Sequence, residues 1–426
     1  MLETVKYWAW LQRSQWLKRE QIVEIQARRL REMVNHAYRK VPFYRRLYDS
    51  VGVDVSSIKN ARSIDRLPAI NRQLVRSIPL RERTAADTDL SVCLVRTTSG
   101  STGAPITFLD DPDSASYRAA LWLRRFWVFG VRPQHKACVV VPGSRRGSMF
   151  SSTKGLSGWL LKGRVRRLSL AEDTDDHIRL ISAWKPDVLV APPSYYRTLI
   201  EFSERAGQSL HLKIALANGE MLSSSTRKLI SDRLHARVFS TYGVAEAGPI
   251  AWECPTHSGY HVNAESSIVE FLRDGEQVRA GESGEVCVTN LWRKPTPMLR
   301  YLVGDVATFL DADCPCGRGL PLIKNIQGRA LDFILTRNGS HISPLRIMYV
   351  LENVPGVAQY KVIQKSDYSI ELLVKMQEVA VEPLLQALEQ RCRQLFGDLP
   401  ISVKWVDRID APKGHKLRVV ESQLAR

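Results

Sequence analysis

Apolar residues recur at helical spacing between positions 15 and 40, at Trp16, Ile22, Ile25, Leu30, Met33 and Ala37. This spacing predicts a helix with one buried face. The segment VPFYRRLYDSVGV that follows carries a proline break and a glycine-ended turn. From about residue 90 the pattern changes to short apolar runs alternating with amphipathic stretches. Residues 90–95, 106–109, 137–141, 187–191, 214–217 and 237–240 read as strands, and stretches such as SSTRKLISDRLHA as the helices between them. That alternation predicts an α/β layout with a largely parallel sheet. Residues 267–308 read as antiparallel strands, turning at Asp274–Gly275 and at 281–284. In the last hundred residues, strands at 331–336, 357–364, 370–375 and 401–406 alternate with helices at 344–353 and 381–396, a small α+β unit.

A chain of 426 residues is too long for one core, since single cores stop growing at roughly 250–300 residues. The pattern divides it into a large domain, 1–328, with a helical region at 1–90 packed on it, and a small domain, 332–426. The boundary segment is 329–332. With 44% hydrophobic and 25% charged residues, the composition is that of a folded globular protein. No apolar run reaches the roughly 18–20 residues of a membrane helix. Charges interrupt the first twenty residues, so no signal peptide is read there and a cytoplasmic protein is expected.

The formal charge of +17, from 61 Lys+Arg against 44 Asp+Glu, favours polyanionic partners. Nucleic acid, anionic membrane, ATP, pyrophosphate and coenzyme A all qualify. There is no zinc-finger spacing, RNA-recognition signature or long Lys/Arg block, so nucleic acid is not expected. Trp8, Trp10 and Trp16 lie among Lys and Arg. They predict a docking helix, with peripheral membrane contact as the alternative. Seven cysteines in such a chain do not make a disulfide framework.

Five short segments have the composition of ligand loops. In Arg96-Thr97-Thr98-Ser99-Gly100-Ser101-Thr102-Gly103-Ala104-Pro105, two glycines allow close backbone approach and five hydroxyls can surround phosphate oxygens. The closing Gly-Lys-Ser/Thr of a Walker loop is missing. Ser240-Thr241-Tyr242-Gly243-Val244-Ala245-Glu246 follows a strand, where open α/β sheets bind ligands. Tyr242 offers a flat face for a purine and Glu246 a hard oxygen ligand for Mg²⁺. Tyr301-Leu302-Val303-Gly304-Asp305 presents an Asp on a turn after a strand, suited to two ribose hydroxyls. Gly328-Arg329-Ala330-Leu331-Asp332 sits at the domain boundary. Pro412-Lys413-Gly414-His415-Lys416-Leu417-Arg418 can bring a lysine charge to a phosphate.

The order of these segments, with Asn218-Gly219-Glu220 between the first two, resembles the adenylate-forming superfamily of acyl-CoA synthetases, peptide-synthetase adenylation domains and luciferases. The resemblance covers over three quarters of the chain. It is strongest to the phenylacetate–CoA ligase branch, which includes coenzyme F390 synthetase-like and capsular-polysaccharide-associated proteins. It implies an α/β large domain with mixed, largely parallel sheets and a small mobile C-terminal lid. It implies ATP-dependent activation of an aryl or arylacetic acid through an acyl-adenylate, with Mg²⁺ and coenzyme A. A different acceptor would make an amide synthetase or an F390 synthetase-like nucleotidyltransferase, and a non-catalytic or membrane-associated scaffold in polysaccharide assembly is the alternative of another class. A homodimer is compatible with all of these.

Residue by residue, the resemblance implies that Thr98, Ser99, Gly100, Ser101, Thr102 and Gly103 hold the β- and γ-phosphates. Gly219 and Glu220 lie on the adenine side, Tyr242 with Gly243 stacks on adenine, and Glu246 ligates Mg²⁺. Asp305 holds the ribose with Arg329 nearby, Asp332 is the hinge, and Lys416 bridges the acid and the α-phosphate. Two departures stand out: Ile106 occupies a place where many members carry Lys, and His415 precedes Lys416 where glycine is usual, which leaves Lys413 as a rival. Pro192-Pro193-Ser194-Tyr195-Tyr196 falls where the acyl pocket begins, and its two tyrosines point to a flat substrate or to packing.

Cys254, His257, His261, Cys314 and Cys316 form a set rich in zinc-ligating side chains. The resemblance favours Cys254, His261, Cys314 and Cys316 as a structural zinc site, with His257 in reserve.

Overall fold

The computed structural model describes residues 2–98, 105–141, 164–172, 174–376, 382–409 and 417–424. The chain forms two compact units, one of Met1–Gln134, Ser152–Lys162 and Phe239–Asn325, the other of His135–Ser151, Gly163–Val238 and Ile326–Arg426.

In the first unit, the helices Leu2–Ser14, Arg19–Lys40 and Pro42–Ser50 replace the single helix read at 15–40 and the break after it. Pro42 is no breaker here, because the first turn of a helix needs no N–H from it. The buried stripe Leu30, Met33, Val34 and Ala37 packs with Tyr44, Tyr48, Ile70, Leu299 and Tyr301. Leu2–Ser14 docks on the helix Pro112–Val128, with Leu11, Tyr7, Trp8 and Trp10 against Tyr117, Leu121 and Trp292. The strands Ser267–Arg273, Ser283–Asn290 and Tyr301–Leu310 pair antiparallel, as the turn residues predicted. Arg237–Val244, Gly248–Glu253 and Tyr260–Val262 continue that antiparallel pattern.

In the second unit, Ala137–Val141, Val165–Ser169, Val188–Ala191 and Ile214–Asn218 form parallel ladders. The helices Pro193–Arg205 and Ser224–Leu234 contribute Tyr195, Tyr196, Leu199, Ile230 and Leu234 to the core around them. The last hundred residues have a separate core and a four-stranded sheet in the order Ile401–Trp405, Ile370–Met376, Val357–Gln364, Val420–Ser422. Polar contacts join that sheet region to the helices before it: Arg197 donates to the Ala358 carbonyl at 3.0 Å and pairs with Glu352 at 3.3 Å. Lys375 pairs with Glu201. Among the described residues, no helix is long and apolar enough to cross a membrane.

Candidate active site

The strand Arg237–Val244 runs through Tyr242 and Gly243, so only Ala245 and Glu246 of that segment stand in a turn. The loop expected after residue 240 is therefore a hairpin tip three residues long. Gly243 is required by proximity: a Cβ there would lie 2.7 Å from the Gly248 carbonyl oxygen. Tyr242 is buried and donates its hydroxyl to Asp305 Oδ2 at 2.9 Å.

Asp305 is held differently from the turn expected. Its strand pairs Leu302 with Cys287 and Val306 with Glu285, so Val303, Gly304 and Asp305 stand opposite a single residue. This is a bulge, which bends a strand and re-aims a side chain. Gly304 makes it with φ +80, a conformation open to glycine. Burial pushes the neighbouring Glu285 carboxyl above its ordinary value, and the Asp305 charge adds to that shift.

Glu246 is 1% exposed. Arg72, the first residue of the helix Arg72–Ser77, donates to its Oε1 at 2.6 Å, and the Tyr301 hydroxyl lies 3.3 Å from the same oxygen. Arg72 arrives there because Ile70 pairs with the strand end: its N–H reaches the Arg300 carbonyl at 2.9 Å, and its carbonyl receives the Leu302 N–H at 2.8 Å. Burial and the Glu246 charge hold the Tyr301 phenol well above its ordinary pKa. Arg293 donates to the Glu246 backbone carbonyl and, through Nε, to Asp110 at 2.9 Å.

Thr98 closes the neck of the hydroxyl-rich loop. Its N–H donates to the Ile106 carbonyl at 3.0 Å, and its Oγ1 accepts from the Ile106 N–H at 2.9 Å. The strands Leu94–Thr97 and Thr107–Asp110 lead into that neck. Ser99, Gly100, Ser101, Thr102 and Gly103 lie outside the described residues, as do Lys413, His415 and Lys416.

Gly219, Glu220, Arg329 and Asp332 belong to the second unit. Glu220 accepts from the Ser194 N–H at 3.0 Å and from its hydroxyl at 2.9 Å. It thereby caps the helix Pro193–Arg205, whose own cap residue, Pro192, offers no side-chain bond. Asp332 ends a short 3₁₀ turn and pairs with Arg418. Burial raises the Asp332 carboxyl against the opposing pull of Arg418. Of the two readings open for Tyr195 and Tyr196, a flat substrate surface or packing, the structure gives packing: both belong to the core. Tyr196 donates to the Leu189 carbonyl at 2.6 Å, and the Tyr195 hydroxyl lies 3.0 Å from His177 Nδ1.

Cys254, His261, Cys314 and Cys316 converge, with all their ligand atoms within 4.8 Å of one another. Cys254 and Cys314 sulfurs are 3.5 Å apart, and His261 Nε2 is 3.2 Å from the Cys316 sulfur. A tetrahedron with zinc–sulfur bonds of ~2.3 Å has edges of about 3.7 Å, so the set is near that size. Burial, then the Arg318 charge, lowers His261 to about 4, which keeps the ring neutral as a metal ligand must be. Burial pushes the Cys314 thiol up to about 12; burial opposes ionisation of Cys316 too, but Arg318 outweighs it and lowers that thiol. His257 stands apart from the four, with Nδ1 2.8 Å from Glu253 and its ring stacked on Phe239.

The chain is similar to known proteins over most of its length. Residues 23–302 match the family model described as AMP-binding enzyme. The phenylacetate-coenzyme A ligase of Thermus thermophilus is 26% identical, over 88% of this chain and 85% of the relative. That of Escherichia coli is 25% identical over 88% and 86%. A crystal structure of 2-hydroxyisobutyryl-CoA ligase in the postadenylation state, in complex with an acyl-AMP, superposes with a TM-score of 0.81, covering 94% of this chain and 89% of that one at 22% identity.

Proposed function

Because the chain belongs to the AMP-binding enzyme family, we propose that it activates a carboxylic acid with ATP and passes the acyl group to coenzyme A. In the first step a carboxylate oxygen attacks the α-phosphorus, and pyrophosphate leaves with the bonding pair. In the second the coenzyme A thiol, losing its proton, attacks the acyl carbonyl and AMP leaves. The Tyr242–Asp305 hydrogen bond carries this reading, because it fixes a flat ring and a carboxylate in one place. The ring suits adenine and the carboxylate two ribose hydroxyls. The phenylacetate-coenzyme A ligases among its relatives support the same reaction class.

The other roles follow from chemistry and position. Thr98 sets the neck of the loop at 99–104, whose hydroxyls and backbone would receive the phosphates. Glu246 would offer a carboxylate oxygen to the Mg²⁺ of Mg–ATP, which would offset phosphate charge, and Arg72 pairs with that carboxylate. Lys416 would place its charge where negative charge develops at the α-phosphate. Gly219, Glu220 and Arg329 would border the nucleotide, and residues 332–426 would act as a lid turning at Asp332. Cys254, His261, Cys314 and Cys316 would hold zinc, whose contribution is structural.

ATP–pyrophosphate exchange over a panel of aryl, arylacetic, fatty and amino acids tests the reading. Exchange that requires one acid establishes activation. Exchange with none removes it.

A further inference from the structure

The helix Pro112–Val128 carries more buried positive charge than its surroundings balance. Arg118, Arg124 and Arg125 are all at least nine-tenths buried. Arg124 has its own counter-ion: it donates to both Glu265 oxygens, at 2.6 and 3.2 Å, and to Asn263, while its Nε is buried without an acceptor. Arg118 shares its carboxylate. Asp110 accepts from Arg118, Arg96 and Arg293, so three guanidinia meet one negative charge. Arg293 Nη2 is buried and has no hydrogen-bond partner.

Arg125 has no counter-ion among the described residues. Its Nε is buried with no acceptor. Its guanidinium stacks on the Trp122 ring and lies 5.2 Å from that of Phe126. Burial alone depresses its pKa, with no carboxylate close enough to oppose the shift. An arginine does not escape this cost by losing its proton. Stacking on a ring returns about 2 kcal/mol, against several for burying the charge. Nor does the surrounding sequence supply an acid: residues 114–171 contain twelve Lys and Arg and no Asp or Glu.

The position of Arg125 shows which site this charge serves. Arg118, Trp122, Arg125 and Phe129 are spaced along one helix face. At one end of that stripe, Arg118 meets Asp110 and thereby Arg293, which holds the Glu246 carbonyl. At the other, Phe129 stacks on Phe239 at 4.6 Å, in the strand that carries Tyr242. Arg125 lies between them on that same face.

We propose that the acid activated by this chain bears a second oxyanion, and that Arg125 receives it. This rests on the acyl-activation reading above and narrows its substrate to dianionic acids. The reacting carboxylate goes to the nucleotide, and the second group, a carboxylate, sulfonate or phosphonate, completes the hydrogen bonding of a guanidinium already desolvated. Such a site disfavours the monoanionic analogue, which leaves the buried cation unmatched.

The test uses the full chain, its Arg125→Met variant and its Arg125→Lys variant. Exchange kcat/KM is compared between an arylacetic acid and its carboxylated, sulfonated and phosphonated counterparts. Melting temperature is followed with each acid in the absence of nucleotide. We expect the parent to favour one dianionic series by roughly 10²-fold. That ratio should collapse in Arg125→Met and be partly kept in Arg125→Lys. A parent ratio at or below one overturns the proposal while leaving activation standing. Exchange with no acid sinks activation itself, and the melting data then decide Arg125 separately. A rise with the dianion in the parent that Arg125→Met loses upholds an oxyanion site, and no rise ends it. If Arg125→Met does not fold, the parent ratio and Arg125→Lys decide.

Discussion

The Tyr242 hydroxyl reaches the Asp305 carboxylate across 2.9 Å, linking a strand to a bulge sixty-three residues later. Each side chain sets the orientation of the other. Tyr242→Phe keeps the ring and removes this constraint. The KM for ATP in the exchange assay should rise roughly tenfold, and stability should fall by about 1 kcal/mol, the value of one such bond. An unchanged KM would detach the pair from nucleotide binding.

Arg72 neutralises a carboxylate that is almost completely buried. Its removal in Arg72→Ala strands the Glu246 charge, and a loss of about 3–5 kcal/mol is expected in urea unfolding. Adding Glu246→Gln to that variant should recover much of the stability and none of the activity. A double variant as unstable as the single one would mean that Arg72 acts through packing.

Asp110 links stability to pH. Burial opposes its ionisation, but Arg293, Arg118 and Arg96 win and hold its carboxyl well below the ordinary 3.8. A depressed folded value means stability that is present above about pH 4 and lost as pH falls through the folded pKa. The parent's urea midpoint should therefore drop on acidification below pH 4. Asp110→Asn should start lower at neutral pH and show a shallower acid limb. Parallel limbs would assign the acid sensitivity elsewhere.

Cys314→Ser removes one of four converging ligands. Elemental analysis of the purified parent should find one zinc per chain, and the variant should lose it together with several degrees of melting temperature. A zinc-free parent with the same stability would leave these residues as packed thiols.

Lys416→Ala should slow adenylation by roughly 10²-fold, the scale for losing one transition-state donor. If single-turnover acyl-adenylate formation is unaffected in that variant and lost in Lys413→Ala, the role moves to Lys413.

Periodicity carried much of the architecture. The C-terminal strand Val357–Gln364 and the alternation of parallel strands with helices were legible, because each buried face repeats within a few residues. The cysteine and histidine donors were legible through the family resemblance, since the two pairs lie about sixty residues apart and their spacing alone does not join them. Arg72 and Arg293 were not, since their acids lie 174 and 183 residues away and no local pattern marks either one. The Asp305 bulge escaped for another reason: Gly304-Asp305 has the composition of a turn, and only cross-strand register distinguishes the two. Tyr195 and Tyr196 followed helical spacing into a core, where their hydroxyls found partners that sequence does not reveal.

Glu352 is gripped by Ser223, Ser225 and Arg197, and Lys375 by Glu201, while the apolar clusters on either side of these contacts remain distinct. A junction made of charges and hydroxyls exchanges protein partners for water when it parts, and Met221, packed against the C-terminal core, is an apolar contact that parts with it. If the last hundred residues turn as proposed, this fastening is the part that raised salt would loosen.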